Sequence, residues 1–242
     1  MRRYSNVLGL LVLAATVVAP AHAEWKGQGQ AGIVFARGNT DTDTVNVKVE
    51  MATESDRWKH KFGVAALRAA TEGDKTAERY EGMWQSDYNI SERDYYWAGV
   101  RYEDDRFSGF DYQATATTGY GRKFINTEQT KFVGEIGVGY RRLKTLEQLG
   151  PPVVASETAG DAILRGFLGY ETALTDTTSL IDKLTFEAGS DNTFVSNVFA
   201  LQVKMNDAFA LSLGFDVRYN TDPPAGKKKS DTLTTVNLVY AF

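Results

Sequence analysis

Residues Thr44-Val45-Asn46-Val47-Lys48-Val49-Glu50-Met51 put an apolar side chain at every odd position and a polar one at every even position. Successive side chains of an extended strand point to opposite faces, so this segment reads as a strand with one apolar and one wet face. The alternation returns along the whole chain. Tyr80, Gly82, Trp84, Ser86 and Tyr88 oppose Arg79, Glu81, Met83 and Gln85. Phe132, Gly134, Ile136, Val138 and Tyr140 oppose Lys131, Glu135 and Arg141. Phe209, Leu211, Leu213, Phe215, Val217 and Tyr219 oppose Ser212, Asp216 and Arg218. No long helical period competes with this one.

About twelve such runs are predicted, near 26–37, 43–53, 57–70, 77–89, 95–104, 111–124, 130–143, 158–174, 179–189, 193–205, 209–220 and 231–242. Strands of soluble proteins usually have about 5–6 residues. A tilted membrane-spanning strand needs about 9–11, which most of these runs satisfy. The expected fold is therefore all-β: an antiparallel transmembrane β-barrel of about 12 strands. Short turns fall at 54–56, 91–94, 125–129, 175–178 and 206–208. Longer polar loops are expected at 71–76, 105–110, 144–157 and 221–230, with short ones at 38–42 and 190–192. Short periplasmic turns with longer extracellular loops mark an outer-membrane barrel. Both termini then lie on the periplasmic side. Trp58, Tyr88, Tyr95, Tyr96, Tyr102, Tyr120, Tyr140, Tyr170, Tyr219 and Tyr240 fall near strand ends, as aromatic girdles require.

The N-terminus supports the same location. Arg2 and Arg3 precede an apolar stretch from Val7 to Val18, and Ala21-His22-Ala23 offers a small-residue cleavage site. Residues 1–23 read as a cleaved signal peptide and 24–242 as the barrel, in a Gram-negative outer membrane. The 242 residues contain no cysteine and two histidines, His22 and His60. Thiolate metal sites, cysteine nucleophiles and multi-histidine centres are thereby excluded. A formal net charge of −4 argues against nucleic-acid partners. No cofactor or metal is expected. The spacing of Asp41, Asp43 and Asp104-Asp105 fits no calcium loop, and those carboxylates read as solvated loop residues.

Four short motifs resemble those of a known family: Gly38-Asn39-Thr40 after the first strand, Asp105-Arg106-Phe107 in the third loop, Gly119-Tyr120-Gly121-Arg122 in the sixth strand, and Asn220-Thr221-Asp222-Pro223-Pro224 opening the last loop. Their order and spacing resemble the YdiY-like family of salt-induced outer-membrane proteins, a domain of unknown function. The resemblance spans the mature chain. It implies the barrel, the outer membrane and a link to salt or osmotic stress. It contributes no catalytic residues.

With the apolar faces outward, the wet faces line a lumen. Lys48, Lys59, Lys61, Arg79, Arg101, Lys123, Lys131, Arg141, Arg165, Lys183, Lys204 and Arg218 are expected inward. Glu50, Glu81, Glu103, Glu135, Asp161, Glu171, Glu187 and Asp216 join them. Charges there need water or partners. One reading is a narrow, slightly basic pore for small, anionic solutes, since Lys and Arg rings select anions. The other is a closed envelope-structural barrel whose charges pair across the lumen. Leu238, Tyr240 and the terminal Phe242 share one face of the last strand. They resemble the signal read by the barrel-assembly machinery, an expected partner alongside outer-membrane lipid and lipopolysaccharide. Lys227, Lys228 and Lys229 lack the glycine spacing of a phosphate loop. They suit lipopolysaccharide phosphates or plain solvation.

A lipid-acting barrel enzyme is the alternative from another class. His60 and Ser86 both fall on apolar faces, and a hairpin around 71–76 would bring them together. A serine nucleophile needs a base within about 2.6–3.2 Å and a third group that orients it. Asn89 lies on the wrong face, and no Gly-x-Ser-x-Gly elbow occurs. The expectation is a non-enzymatic barrel.

Overall fold

The computed structural model describes residues 25–36, 42–105, 108–147 and 155–242. The expected leader at 1–23, Glu24, Gly38-Asn39-Thr40, Asp41 and Arg106-Phe107 lie outside the described residues. Twelve strands form: β1 (Trp25–Ala36), β2 (Thr42–Glu54), β3 (Trp58–Thr71), β4 (Asp74–Asn89), β5 (Asp94–Asp105), β6 (Phe110–Asn126), β7 (Thr130–Thr145), β8 (Thr158–Ala173), β9 (Thr178–Ala188), β10 (Thr193–Lys204), β11 (Phe209–Asn220) and β12 (Ser230–Ala241). Each pairs antiparallel with its sequence neighbours, and β1 pairs with β12 to close a barrel. Closure leaves no free sheet edge, which is how a long-stranded sheet avoids edge-to-edge association. All twelve expected strands are present.

The apolar faces point outward. Ile136, Val138 and Val100 expose 58%, 60% and 51% of their surface, and Leu213 and Leu238 stand out beside them. An apolar belt this large and continuous is not a soluble surface. Aromatic rings collect at the turn end of the barrel. Trp58 packs on Tyr88 (5.0 Å), Tyr96 on Tyr120 (6.2 Å), Phe132 on Phe124 (5.2 Å) and on Tyr170 (6.2 Å), and Tyr240 on Phe209 (5.2 Å) and on Phe242 (6.1 Å). Leu238, Tyr240 and Phe242 share the outward face, each about half exposed. Phe242 ties the terminus to β1 through two backbone bonds with Gly27, at 2.8 and 2.9 Å.

Two expectations change here. The connection expected to be a longer loop at 71–76 is a two-residue turn, because pairing runs on to Thr71↔Asp74. Glu72 (φ 53°) and Gly73 (φ 87°) both adopt left-handed backbone. That is the geometry of a mirror-image hairpin turn, whose twist matches the flanking strands. The longer connections at the loop end are therefore 146–157 and 221–229. Second, Tyr95 leaves the girdle. It faces inward and is 3% exposed, whereas Tyr96 stays outside. A one-residue step in a strand changes the face.

The charged interior as candidate functional site

The inward faces meet in a network that crosses the barrel. At its centre is Glu103 on β5, 1% exposed. Arg101 donates to its Oε2 at 2.9 Å and Arg218 donates to the same oxygen at 2.5 Å. Arg218 also reaches Asp105 at 3.3 Å, and Arg101 reaches Glu187 on β9 at 3.0 Å. In a ring of twelve strands, β5 and β11 face each other. The Arg218 bridge therefore spans the lumen. Phe194 from β10 fills the space between the two guanidiniums, whose carbons lie 5.3 and 5.0 Å from its ring centre. Planar guanidinium favours both contacts at once, bonding carboxylate along its edge and stacking on a ring through its face.

A second cluster fills the wall between β3 and β8. Glu135 accepts hydrogen bonds from Gln85 (2.9 Å), Tyr95 (2.9 Å) and Arg165 (2.9 Å). Arg165 also stacks over Trp97, its carbon 4.6 Å from the ring centre. Lys61 pairs with Asp87 at 2.8 Å. Trp97 is 2% exposed, and it and Tyr95 need room that only glycine provides. A Cβ at Gly121 would strike the Tyr95 ring, and one at Gly137 would strike Trp97. The Gly119-Tyr120-Gly121-Arg122 motif thus has a packing role. Its Gly121 receives the Tyr95 ring, while Tyr120 and Arg122 hold Asp94 at the turn end.

The Asn220-Thr221-Asp222-Pro223-Pro224 motif also acquires a role. Asn192 donates to Asn220 (2.8 Å) and accepts from Thr221 Oγ1 (3.3 Å) and the Asp222 amide (3.0 Å). These bonds pin segment 221–229 to the β9–β10 connection. From there the segment reaches the opposite wall. A Cβ at Gly109 would lie 2.9 Å from Pro224 and 3.0 Å from Lys227. The segment thus crosses the loop-end mouth above the Glu103 bridge. Beside it, Arg141 is held by Asp161 at 3.0 Å and donates to the Asn192 carbonyl at 2.8 Å.

Most of the expected lumen charges are in this interior, but they are arranged differently from a basic pore. Lys48 pairs with Glu50 at 3.0 Å, and Lys183 reaches the same oxygen at 3.4 Å. Arg79, Glu81 and Asp216 also face inward, with no hydrogen bond or ion pair among the described residues. Glu171 is exposed at the turn-end mouth, as are Lys131 and Lys204. Lys59 joins them there, paired with the exposed Glu54 at 3.2 Å. The basic excess read from the sequence therefore sits largely at this rim. Asp87 near the turn end and Asp105 near the loop end add two inward acids, paired with Lys61 and Arg218, that offset the rest. Asp105, expected to be a solvated loop carboxylate, is half of a cross-lumen ion pair. The parity of β4 and β5 could have revealed both acids.

Between the bridge and the turn end, a cavity of ≈ 120 Å³ remains on the β1–β4 and β9–β12 side. A pocket for a drug-sized ligand has about 300–1,000 Å³. This space suits water and solutes of a few heavy atoms.

On the outer wall, His60 Nδ1 and Ser86 Oγ are hydrogen-bonded at 2.9 Å. The imidazole stacks between Trp58 (5.9 Å) and Trp84 (6.3 Å). No carboxylate orients His60 among the described residues, and β4 is paired on both sides at Ser86.

The architecture is that of a closed, twelve-stranded, antiparallel barrel with an apolar exterior and an ion-paired interior. The chain belongs to the family described as "Protein of unknown function, DUF481", whose model matches residues 29–242. It is 26% identical over 225 residues to the uncharacterized protein YdiY of Escherichia coli (strain K12), covering 93% of this chain and 86% of that one. Among solved structures, an outer membrane channel from Pseudomonas putida F1 is 13% identical with a TM-score of 0.49, covering 93% of this chain and 97% of that one. The NanC porin is 10% identical with a TM-score of 0.49, covering 90% and 98% respectively.

Proposed function

We propose that this chain is an outer-membrane barrel that passes small polar solutes through an interior held narrow by ion pairs. The Arg218 bridge from β11 to Glu103 and Asp105 on β5 carries this reading. It divides the lumen, and the cavity below it admits only small molecules. The outward apolar belt and aromatic ring support residence in a lipid bilayer. On that reading the outward wall meets outer-membrane lipid, and Lys227, Lys228 and Lys229 meet lipopolysaccharide. The assembly machinery reads Leu238, Tyr240 and Phe242. The salt or osmotic stress role implied by the family resemblance belongs with the same function, because solutes of this size set osmotic balance.

Planar-bilayer conductance of the refolded barrel tests the proposal. The wild type is expected to show small steps with weak ion selectivity, because the deep charges are paired. R218A removes the bridge and is expected to raise the conductance several-fold. If both proteins are silent while correctly folded, the barrel is structural.

The His60–Ser86 hydrogen bond favours a second reading, acyl transfer on membrane lipid. Proton transfer from a serine also needs an oriented base and free donors for the oxyanion. Without these, H60A/S86A is expected to leave phospholipid hydrolysis by the refolded protein at the wild-type level. A loss of hydrolysis in the double variant would establish the enzyme.

A further inference from the structure

The cavity beneath the Glu103 bridge contains an unmatched pair of charges. Lys48, Glu50, Arg79, Lys183 and Asp216 line it. Glu50 is satisfied three times over, by Lys48 (3.0 Å), Lys183 (3.4 Å) and the Gln28 amide (3.2 Å). Arg79 and Asp216 are different. Among the described residues neither has a hydrogen bond or an ion-pair partner within 4.0 Å; Asp216 feels Arg79, Lys48 and Arg218 only at longer range, and Arg79 feels Glu103, Glu81 and Asp105 in the same way. Arg79 comes from β4 and Asp216 from β11, so the two approach the cavity from different walls.

A half-buried guanidinium and carboxylate without a direct partner have their desolvation costs offset only in part, by charges acting at longer range. Water can offset part of that cost. A molecule with an anionic end for Arg79 and a cationic end for Asp216 offsets both together, through charge-assisted hydrogen bonds. The space of ≈ 120 Å³ restricts such a molecule to a few heavy atoms. Asn46, Ser212 and Asn237 supply neutral polar groups around it. We infer that this cavity binds a small amino-acid zwitterion, its carboxylate on Arg79 and its ammonium on Asp216. The inference names the solute class for the passage proposed above and rests on that reading for its biological use. A plain anion would use Arg79 but leave Asp216 unmatched, and a plain cation would do the reverse.

The test is calorimetric titration of the refolded barrel in detergent with glycine, acetate and methylammonium. Glycine is expected to bind saturably. Acetate and methylammonium, each missing one charge-assisted contact, are expected to bind at least about tenfold more weakly. R79Q should weaken glycine by about the same factor and leave methylammonium unchanged, and D216N should weaken glycine and leave acetate unchanged. Heat-modifiable gel mobility checks that both variants stay folded. Failure of folded wild type to bind glycine overturns the inference. So does acetate binding as tightly as glycine with D216N inert, which marks a simple anion site. Conductance separates this result from the passage itself: glycine binding by a silent barrel keeps the site and removes the channel, whereas conductance without binding does the reverse.

Discussion

Alanine at Glu103 is expected to lower the unfolding free energy by about 3 kcal/mol, the low end of what removing one partner of a buried ion pair costs. One carboxylate oxygen receives both Arg101 and Arg218, at 2.9 and 2.5 Å. Its loss leaves two buried guanidiniums short of a partner. Each keeps a second acid, Glu187 at 3.0 Å and Asp105 at 3.3 Å, which holds the cost to the low end of the range. Urea unfolding in lipid vesicles, followed by tryptophan fluorescence, measures the change. E103Q keeps an acceptor and should cost less than E103A. A loss below about 1 kcal/mol would place these pairs in the class of exposed salt bridges and remove the brace from the account of the lumen.

Valine at Gly121 is expected to cost about 3 kcal/mol or more, combining overpacking with a lost hydrogen bond to a charged group. Its Cβ would occupy the space of the Tyr95 ring. Tyr95 is buried against the inner wall and donates to Glu135 at 2.9 Å, so it has little room to retreat. The same urea titration applies, with two controls. Around Gly166 nothing beyond its own chain neighbours lies within 4 Å of an added Cβ, so G166V should be nearly neutral. Combining G121V with Y95A should cost less than the sum of the two single changes, by about 1 kcal/mol or more, because the clash disappears with the ring. Strict additivity would show that Gly121 and Tyr95 are not coupled as the packing requires.

The strands were legible because their signal is local. One side chain in two must be apolar along a wall with lipid on one side and polar groups on the other, and that pattern needs no knowledge of neighbours. The expected ends of the weakly patterned strand at 179–189 differ from those of β9 by one residue. The connection at 71–76 is tighter than its composition suggests, for a local reason too. Lys75 and Thr76 look like loop, but the left-handed Glu72-Gly73 turn pairs Lys75 with Ala70 and leaves Thr76 as the extra residue of a bulge within β4. The His60–Ser86 contact was readable once a hairpin was assumed, since register alone puts those residues opposite each other.

The lumen was legible only as an inventory. Alternation put Arg101, Glu103, Glu187 and Arg218 on the wet face, but it carries no information about which of them meet. Arg218 and Glu103 are 115 residues apart and join only because a twelve-membered ring sets β5 opposite β11. The sequence by itself determined the strands, their outward face and the kind of surface each wall presents, since these follow from side-chain period and transfer free energy. The tertiary structure alone decided which charges pair, that Tyr95 and Trp97 fill one side over Gly121 and Gly137, and that Arg79 and Asp216 face a cavity unmatched. Such facts depend on closure and stagger of the ring, which bring together residues that no local pattern relates.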